Sequence, residues 1–156
     1  MKNYETYINE TIFSDTRLRV NGWERRMRQY IADGEINSVN DNGDTPLIMA
    51  IANNNFAAID VLLEYDELDL NQVGGYNQNA LILIARKIYN DIMFEKRGIE
   101  LLFKLLKKDI YWWQKDNDGN FFLDYLDKKT LKKIEELYPE KYKEYLKLEK
   151  AKEFNL

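Results

Sequence analysis

Residues 40–71, "NDNGDTPLIMAIANNNFAAIDVLLEYDELDLN", decide the fold of this chain. Asn42-Gly43 predicts a tight turn, because glycine readily accepts the positive φ that such turns require. Thr45 follows where its hydroxyl can accept a backbone N–H of a first helical turn. Pro46 suits the first helical position, where a missing N–H has little effect. The pattern therefore predicts a short helix that begins at Pro46.

A second short helix is predicted directly after the first. The three asparagines at residues 53–55 end the first helix, since asparagine adopts left-handed conformations more readily than most residues. Phe56, Ile59 and Leu62 then recur at helical spacing, with Leu63 beside them. A helix pair this short cannot bury its apolar faces alone, so it requires stacked copies of the same unit.

The chain contains two weaker copies of this pattern. "GYNQNALILIA" begins at Gly75 and "DNDGNFFLDYL" begins at Asp116. With Asn40, Gly74 and Asp116 as equivalent starts, the spacings are 34 and 42 residues. An apolar residue followed by asparagine stands shortly before the first two starts, at residues 36–37 and 70–71. These features predict an array of helical repeats.

The pattern resembles the ankyrin repeat, a unit of about 33 residues with a β-turn and two antiparallel helices. The resemblance is specific in residues 40–71, with D/N-x-x-G-x-T-P-L and the closing apolar-Asn pair, and weaker over roughly residues 20–138. It implies an all-α fold: a short ankyrin-like helical solenoid of stacked helix-turn-helix units with turn or β-hairpin fingers and capping helices.

One departure from the family pattern concerns the histidine that usually follows Thr-Pro-Leu and connects neighbouring loops. Ile48, Ile82 and Asp124 stand at that place here. We therefore expect weaker hydrogen bonding between repeats and a greater contribution from apolar packing.

The repeat register implies a single ankyrin-like domain over residues 1–156. An N-terminal cap and a first degenerate repeat would occupy residues 1–39, and the best-matched repeat residues 40–73. A long degenerate repeat would occupy residues 74–115. The last repeat and a C-terminal cap helix would occupy residues 116–156.

Further helices are expected in the long repeat and at both chain ends. The extra residues of the long repeat are expected near residues 89–97, between its two helices. Residues 4–13 predict a helix that closes the N-terminal side. Apolar residues on either side of Pro139 predict two helices. One helical face of the first carries Leu131, Ile134, Leu137 and Tyr138, and the second, a charged amphipathic helix, carries Tyr142, Tyr145 and Leu146. The second of these helices would be a cap or, alternatively, a contact for a partner.

The composition argues against catalysis and metal binding. The chain has no cysteine and no histidine, which excludes disulfides and removes the commonest general base and metal ligand. "DNDGN" at residues 116–120 resembles a calcium loop. In the register that puts Gly119 at position six, however, Gln114 and Tyr125 stand at the first and last ligand positions. We predict no enzyme activity, no cofactor and no metal site.

The net charge of −4 is unevenly distributed. Between Arg28 and Arg86 there is no lysine or arginine, and the interval carries nine acids: Asp33, Glu35, Asp41, Asp44, Asp60, Glu64, Asp66, Glu67 and Asp69. Such a block favours a basic partner, or it is simply a solvated face.

A cluster of arginines near Trp23 has the opposite character. Its members are Arg17, Arg19, Arg25, Arg26 and Arg28. Arginine beside an aromatic ring can contact phosphates and bases, so nucleic-acid binding is a weaker alternative function.

The local sequence "IYWWQKD" at residues 110–116 has an unusual density of large rings. The repeat register places Trp112 with Ile36 and Leu70, at an inward position. Either Tyr111 or Trp113 is expected to be partly exposed, and exposed rings of this kind favour interfaces.

The resemblance also implies where a partner would bind. Ankyrin arrays hold other proteins on a surface made by the first helices and the turn tips. The corresponding positions, with Trp113 added, are Asp41, Asn42, Asp44, Ala52, Asn53, Gly75, Tyr76, Gln78, Arg86, Lys87, Trp113, Asn117, Asp118 and Asn120.

We therefore expect a cytoplasmic, non-catalytic protein-binding module whose partner is another protein with a basic surface. The sharper hypothesis is an inhibitor or immunity-type protein that occupies a basic cleft of a target such as a nuclease toxin. The alternative is a structural adaptor or scaffold that joins protein partners. No signal peptide is evident, and the longest apolar block, residues 80–85, is too short to cross a bilayer. Neither a membrane nor a small-molecule substrate is expected.

Overall fold

The computed structural model describes residues 21–154, which form seven α-helices and no β-strand. The helices are α1 Trp23–Ala32, α2 Pro46–Ala52, α3 Phe56–Leu62, α4 Ala80–Asn90, α5 Ile92–Leu106, α6 Lys128–Leu137 and α7 Pro139–Phe154. Short 3-10 turns lie at Glu35–Asn37 and Phe122–Tyr125. The prediction of an all-α fold is confirmed. The helix expected at residues 4–13 lies outside the described residues, as do Arg17 and Arg19.

The first helix pair forms as its capping residues dictate. The hydroxyl of Thr45 accepts the N–H of Ile48 at 3.2 Å, and Pro46 is the first residue of α2. Asn54 follows the helix with a positive φ of 56°, a conformation that asparagine tolerates. The side chain of Asn55 then accepts an N–H of the first turn of α3. Both predicted helices are therefore present.

Three turns share one hydrogen-bond pattern, and they lie at residues 40–44, 74–78 and 116–120. In each, the first N–H donates to the carbonyl oxygen four residues on at 3.0 Å. The first carbonyl accepts the N–H three residues on at 2.9 to 3.0 Å. The fourth residue has φ 80° at Gly43 and Gly119 and φ 56° at Asn77. The fingers in the described residues are thus tight turns without strand pairing.

The helices stack in two rows. Helix α2 packs on its partner α3 and on α4 of the next repeat, and α4 in turn packs on α5 and on the 3-10 turn Phe122–Tyr125. Helix α1 packs on α3 in the other row. Each unit therefore contacts its sequence neighbours, as in a solenoid.

The long repeat accommodates its extra residues as helix. Helices α2 and α3 have 7 residues each, whereas α4 has 11 and α5 has 15. Asp91 alone separates α4 from α5, and its carboxylate accepts the N–H of Met93 at 3.0 Å as the cap of α5. The extra residues lie near residues 89–97 as expected, but they extend both helices and do not form a separate loop.

Aromatic residues fill the end of the core. Trp112 is buried, as predicted, with its ring 5.5 Å from that of Phe122 and 5.2 Å from that of Tyr138. Trp113 is half-buried, and its ring lies 5.9 Å from that of Phe121. Tyr111 is the exposed member of this group.

The C-terminal helix α7 lies over the last repeat. The hydroxyl of Tyr145 and the amine of Lys152, both on α7, donate to the carboxylate of Asp124 at 2.8 and 2.6 Å. The same carboxylate accepts the N–H of Phe121 at 2.8 Å. These contacts favour the cap over the alternative role for this helix.

Asp124 is held as an anion. Burial opposes its ionisation most strongly, yet hydrogen bonds from Lys152, Phe121 and Tyr145 keep the pKa of Asp124 below its ordinary value of 3.8. Burial, and then the hydrogen bond to Asp124, raises the pKa of Tyr145. The phenol therefore stays protonated as a donor.

The apolar residues of these two helices differ in burial. Leu137 and Leu146 are exposed, whereas Leu131, Ile134, Tyr138, Tyr142 and Tyr145 pack against the core or belong to it. Helix α6 ends at Leu137, and Pro139 begins a new helix. The helical phase is therefore reset, and Leu148 packs against the core instead of Leu146.

Candidate protein-binding surface

Most of the predicted contact residues have accessible side chains. Asp41, Asn42, Ala52, Asn53, Gly75, Tyr76, Asn117 and Asp118 are exposed, and Asp44, Arg86, Lys87, Trp113 and Asn120 are partly buried. Gln78 is the exception, because only 7% of it is exposed. Its side chain therefore has little surface to offer a partner.

The first two turns approach each other closely. The carboxylate of Asp44 accepts the N–H of Gly75 at 3.1 Å. A Cβ at Gly74 would clash with that carboxylate, and a Cβ at Gly75 would lie 2.6 Å from the carbonyl oxygen of Asn42. Asp44 and Gly75 thus set the spacing of the fingers as well as lying on their surface.

The second and third turns are also connected. The side chain of Asn77 donates to the carbonyl oxygen of Lys115 at 2.8 Å, and that of Gln114 donates to the carbonyl oxygen of Asn77 at 3.3 Å. The three fingers therefore form one connected row, and the exposed tip of each is a separate position for contact with a partner.

Asparagines also bridge the repeats at the base of the loops. Asn37 accepts the N–H of Asp69 at 2.8 Å and donates to the carbonyl oxygen of Glu67 at 2.7 Å. Asn71 accepts the N–H of Tyr111 at 2.6 Å. These asparagine side chains connect the loops of neighbouring repeats. The expectation that hydrogen bonding between repeats is weaker than usual for the family stays a prediction.

A groove of about 380 Å³ lies between the second finger and α4. Its lining includes Tyr76, Leu83, Arg86, Lys87, Asn90 and Asp91, with Gln78 at its base. Tyr76 is 74% exposed beside it. The groove brings four of the predicted contact residues together, whereas Trp113 and the residues of the third finger lie outside its lining.

The two cations in this groove have different surroundings. The amine of Lys87 donates to the carbonyl oxygen of Ala52 at 2.9 Å and lies 5.3 Å from the centre of the Phe94 ring. Burial lowers the pKa of Lys87, and the charge of Asp91 opposes that shift. The guanidinium of Arg86 lies 5.6 Å from the centre of the Tyr125 ring.

The acidic block is divided between several faces. Asp60 pairs with Lys104 at 3.1 Å and with Arg97 at 3.7 Å, both on α5. Glu64 pairs with Arg28 at 2.7 Å. The Arg28 hydrogen bond lowers the pKa of Glu64. These two acids are engaged within the protein, and the block does not form a single surface.

The finger row keeps its own acidic character. Asp41 is exposed in the first finger, Asp118 is exposed in the third, and Tyr76 lies in the second, between them. An aromatic side chain between two carboxylates is suited to a basic protein surface.

The sequence analysis missed an exposed apolar group at the junction of α4 and α5. Tyr89, Ile92 and Met93 flank Asp91 and are 74%, 84% and 87% exposed. The only indication of this group in the sequence was the excess length of the repeat. That excess did not show that α4 and α5 would extend beyond the helices of the preceding repeat and expose these side chains.

The structure also accounts for the calcium-loop resemblance. One carboxylate oxygen of Asp116 accepts the N–H groups of Asp118 and Asn120, each at 3.0 Å, and the other accepts the hydroxyl of Tyr125. This carboxylate is thus committed to the turn. Across residues 21–154 no group of three or more acidic side chains is arranged to hold a metal ion.

No helix in the described part of the chain has both the length and the apolar character that crossing a bilayer requires.

Comparison with known proteins agrees with the fold. The family described as "Ankyrin repeats (many copies)" matches residues 18–63, which span α1, the first finger, α2 and α3. The chain is therefore similar to ankyrin repeats over residues 18–63, and its described part is an all-α, ankyrin-like solenoid. Ankyrin repeats are protein–protein interaction modules and are generally not catalytic. Among curated proteins, no match to the sequence was found.

Proposed function

We propose that this protein is a non-catalytic binding module whose finger row holds a partner protein with a basic surface. The observation that carries the proposal is the arrangement of the finger tips, with exposed Tyr76 between exposed Asp41 and exposed Asp118. Residues 1–156 form one domain in this proposal, and successive repeats begin at residues 40, 74 and 116. We place the protein in the cytoplasm.

The sharper form of the proposal is an inhibitor or immunity-type protein. A nuclease toxin is a fitting target, because its cleft must be positively charged to bind phosphates. The fingers would occupy that cleft, with the carboxylates against the target's cations and Tyr76 as a rigid central contact. Association should then weaken as salt is added, since screening reduces long-range attraction between the two proteins.

The test is affinity capture from a lysate of the source cells, with the wild-type chain and a finger variant carrying Asp41→Asn, Tyr76→Ala and Asp118→Asn. We expect the wild type to retain basic proteins at low salt and the finger variant to lose them, as quantified by mass spectrometry. If a retained protein is a nuclease, the wild-type chain should inhibit its cleavage of plasmid DNA.

The matched control carries Asp66→Asn and Glu67→Gln, which change the net charge by the same amount in a loop away from the finger tips. Equal capture by the wild type and the finger variant would contradict the proposal. So would equal loss in the finger variant and in the control, because bulk charge would then explain the binding.

A second candidate function, a structural adaptor, is favoured by the exposed apolar group at Tyr89, Ile92 and Met93. This group lies at the junction of α4 and α5, and a second partner would bind there while the fingers hold the first. Ile92→Ser with Met93→Ser should then remove one captured protein and leave the finger-dependent one. Loss of both proteins, or of neither, would contradict the adaptor.

Nucleic-acid binding has less support among the described arginines. Arg28 pairs with Glu24 at 3.0 Å and with Glu64 at 2.7 Å, so its guanidinium already has two carboxylate partners. A mobility-shift assay at low salt, with Arg25→Ala as the comparison, tests this function directly.

A further inference from the structure

Arg86 lies in the groove between the second finger and α4, where its charge has no carboxylate partner among residues 21–154. Its guanidinium contacts the face of the Tyr125 ring, and the remainder of the described chain gives it no side-chain hydrogen bond and no salt bridge. Arginine has five N–H donors in a planar arrangement that matches a carboxylate. A half-buried guanidinium with unused donors is therefore suited to an external acceptor.

Two carboxylates close to this groove are committed elsewhere: Asp91 lines the groove, and Asp116 bonds Tyr125. Asp91 accepts the side-chain N–H of Asn54 at 3.2 Å and the backbone N–H of Met93 at 3.0 Å. Asp116 uses both oxygens within the third finger and for the hydroxyl of Tyr125. Neither reaches Arg86 at salt-bridge distance in the structure, although both contribute negative charge near it.

The other cation of the groove is already engaged. The amine of Lys87 donates to the carbonyl oxygen of Ala52 at 2.9 Å. With Arg86 and Lys87 positive and Asp91 negative, the groove carries a formal charge of +1. That charge fits a singly charged carboxylate better than a phosphate group, which carries nearly two negative charges at neutral pH.

We propose that this groove receives a carboxylate from an extended, acidic segment of the partner protein. The carboxylate binds Arg86, and a neighbouring apolar side chain of the segment packs against Tyr76 and Leu83. The inference rests on the proposed function, since it takes the partner to be a protein, and it adds a second element to recognition. The partner presents a basic surface to the finger tips and one acidic residue, or its C-terminal carboxylate, to the groove.

The test is selection of random twelve-residue peptides displayed on phage against three forms of the full chain: the wild type, Arg86→Met and Lys96→Met. Arg86→Met keeps an apolar stem and removes the guanidinium. Lys96→Met makes the same charge change on the exposed surface of α5. We expect peptides selected by the wild type and by Lys96→Met to contain an Asp or Glu beside an apolar residue, and Arg86→Met to lose that enrichment.

Binding of a selected peptide is then measured by fluorescence polarisation. Replacing its acidic residue by the corresponding amide should weaken binding to the wild type about tenfold, the effect of losing one charged hydrogen-bonded pair. Arg86→Met should weaken binding of the original peptide by a similar factor. A peptide whose only carboxylate is C-terminal, compared with its C-terminal amide, distinguishes the two sources of the carboxylate. A thermal melt of Arg86→Met verifies that the variant is folded.

Selected peptides without an acidic residue, unchanged affinity in Arg86→Met, or the absence of any enriched peptide would each overturn the inference. The outcome is separable from that of the proposed function. Capture of basic proteins that depends on Asp41 and Asp118 but not on Arg86 supports the fingers alone. Acidic peptides that depend on Arg86, without finger-dependent capture, support the groove and contradict the basic-surface proposal.

Discussion

Gly98 lies on α5 at a position where a side chain has no room. A Cβ there would lie 2.5 Å from two carbons of the buried Phe94 ring and 2.9 Å from Ile88. Alanine is usually favoured over glycine inside a helix by about 1 kcal/mol, but overpacking a core typically destabilises by about 1–3 kcal/mol. We expect Gly98→Ala to lower the free energy of unfolding by about 1 kcal/mol, as measured by urea denaturation.

Lys96→Ala on the exposed surface of the same helix is the control. It should change the free energy of unfolding by no more than about 0.5 kcal/mol. A Gly98→Ala variant that is more stable than the wild type would show that the Phe94 ring can move aside.

Asn37 provides a second prediction at this scale. Its amide both donates to the carbonyl of Glu67 and accepts the N–H of Asp69. Asn37→Ala should lower the free energy of unfolding by about 1–2 kcal/mol, the usual contribution of one or two hydrogen bonds. Asn37→Asp keeps the acceptor and loses the donor. Its denaturation midpoint should therefore lie between those of the wild type and Asn37→Ala. An alanine variant as stable as the wild type would mean that this bridge contributes nothing.

Some residue roles could be predicted from the sequence, and others could not. The capping role of Thr45 follows from local chemistry, and the buried position of Trp112 follows from the repeat register. The bridging roles of Asn37 and Asn71 depend on loops 30 to 40 residues away. Both asparagines belong to the repeat pattern in the sequence, but no local rule identifies the backbone groups to which they bond.

Among the helical elements, the attachment of α7 to the last repeat should depend on pH. Because the folded pKa of Asp124 is below the ordinary value of 3.8, ionised Asp124 stabilises the fold above that pH. The contribution is lost as the pH falls through the lowered value. Asp124→Asn should therefore reduce the free energy of unfolding at pH 7 by about 2 kcal/mol, the typical contribution of hydrogen bonds to a charged group.

Urea denaturation of the wild type and Asp124→Asn at pH 7 and pH 2.5 checks this prediction. The difference between them should shrink at the lower pH, because the carboxyl of the unfolded wild-type chain is protonated below its ordinary pKa, and this favours unfolding. Asp118→Asn, on an exposed finger, is the control and should show little difference at either pH. A gap between the wild type and Asp124→Asn that is the same at both pH values would contradict the prediction.

The helices themselves were predictable where one turn, one cap and one apolar face coincide. Residues 40–71 meet that condition, and α2 and α3 form where the pattern places them. The lengths of α4 and α5 were harder to predict from the sequence, because the single residue Asp91 ends one helix and caps the next. The packing of Leu148 in place of Leu146 was not apparent from the sequence, because the continuous spacing conceals the change of helical phase at Pro139.

At the scale of the whole molecule, surface ion pairs connect successive repeats. Asp60 and Glu64 on the surface of the second row pair with Lys104 and Arg28, and all four side chains are substantially exposed. Exposed pairs contribute little because water and salt screen them. We expect Asp60→Asn with Glu64→Gln to leave the urea midpoint nearly unchanged, both at low salt and in 0.5 M salt.

Asp124→Asn serves as the comparison for the ion-pair variant, since its carboxylate is much less exposed. A loss in the double variant as large as that in Asp124→Asn would show that the surface pairs are a principal source of stability. The binding surface was only partly predictable at this scale. Arg86 was chosen by the repeat register, but the sequence does not show that Asp91 and Asp116, two of the described carboxylates, are bonded to other groups.

The repeated turn has an evolutionary consequence. Its backbone hydrogen bonds recur beneath three different tips: aspartate–asparagine at residues 41–42, glycine–tyrosine at 75–76 and asparagine–aspartate at 117–118. Except for Gly75, where a Cβ would meet the carbonyl oxygen of Asn42, the outward residues of these tips can be exchanged while the hydrogen bonds beneath them persist. Descendants of one such gene can therefore acquire new preferences by substitutions at a few codons, without having to rebuild the scaffold that displays them.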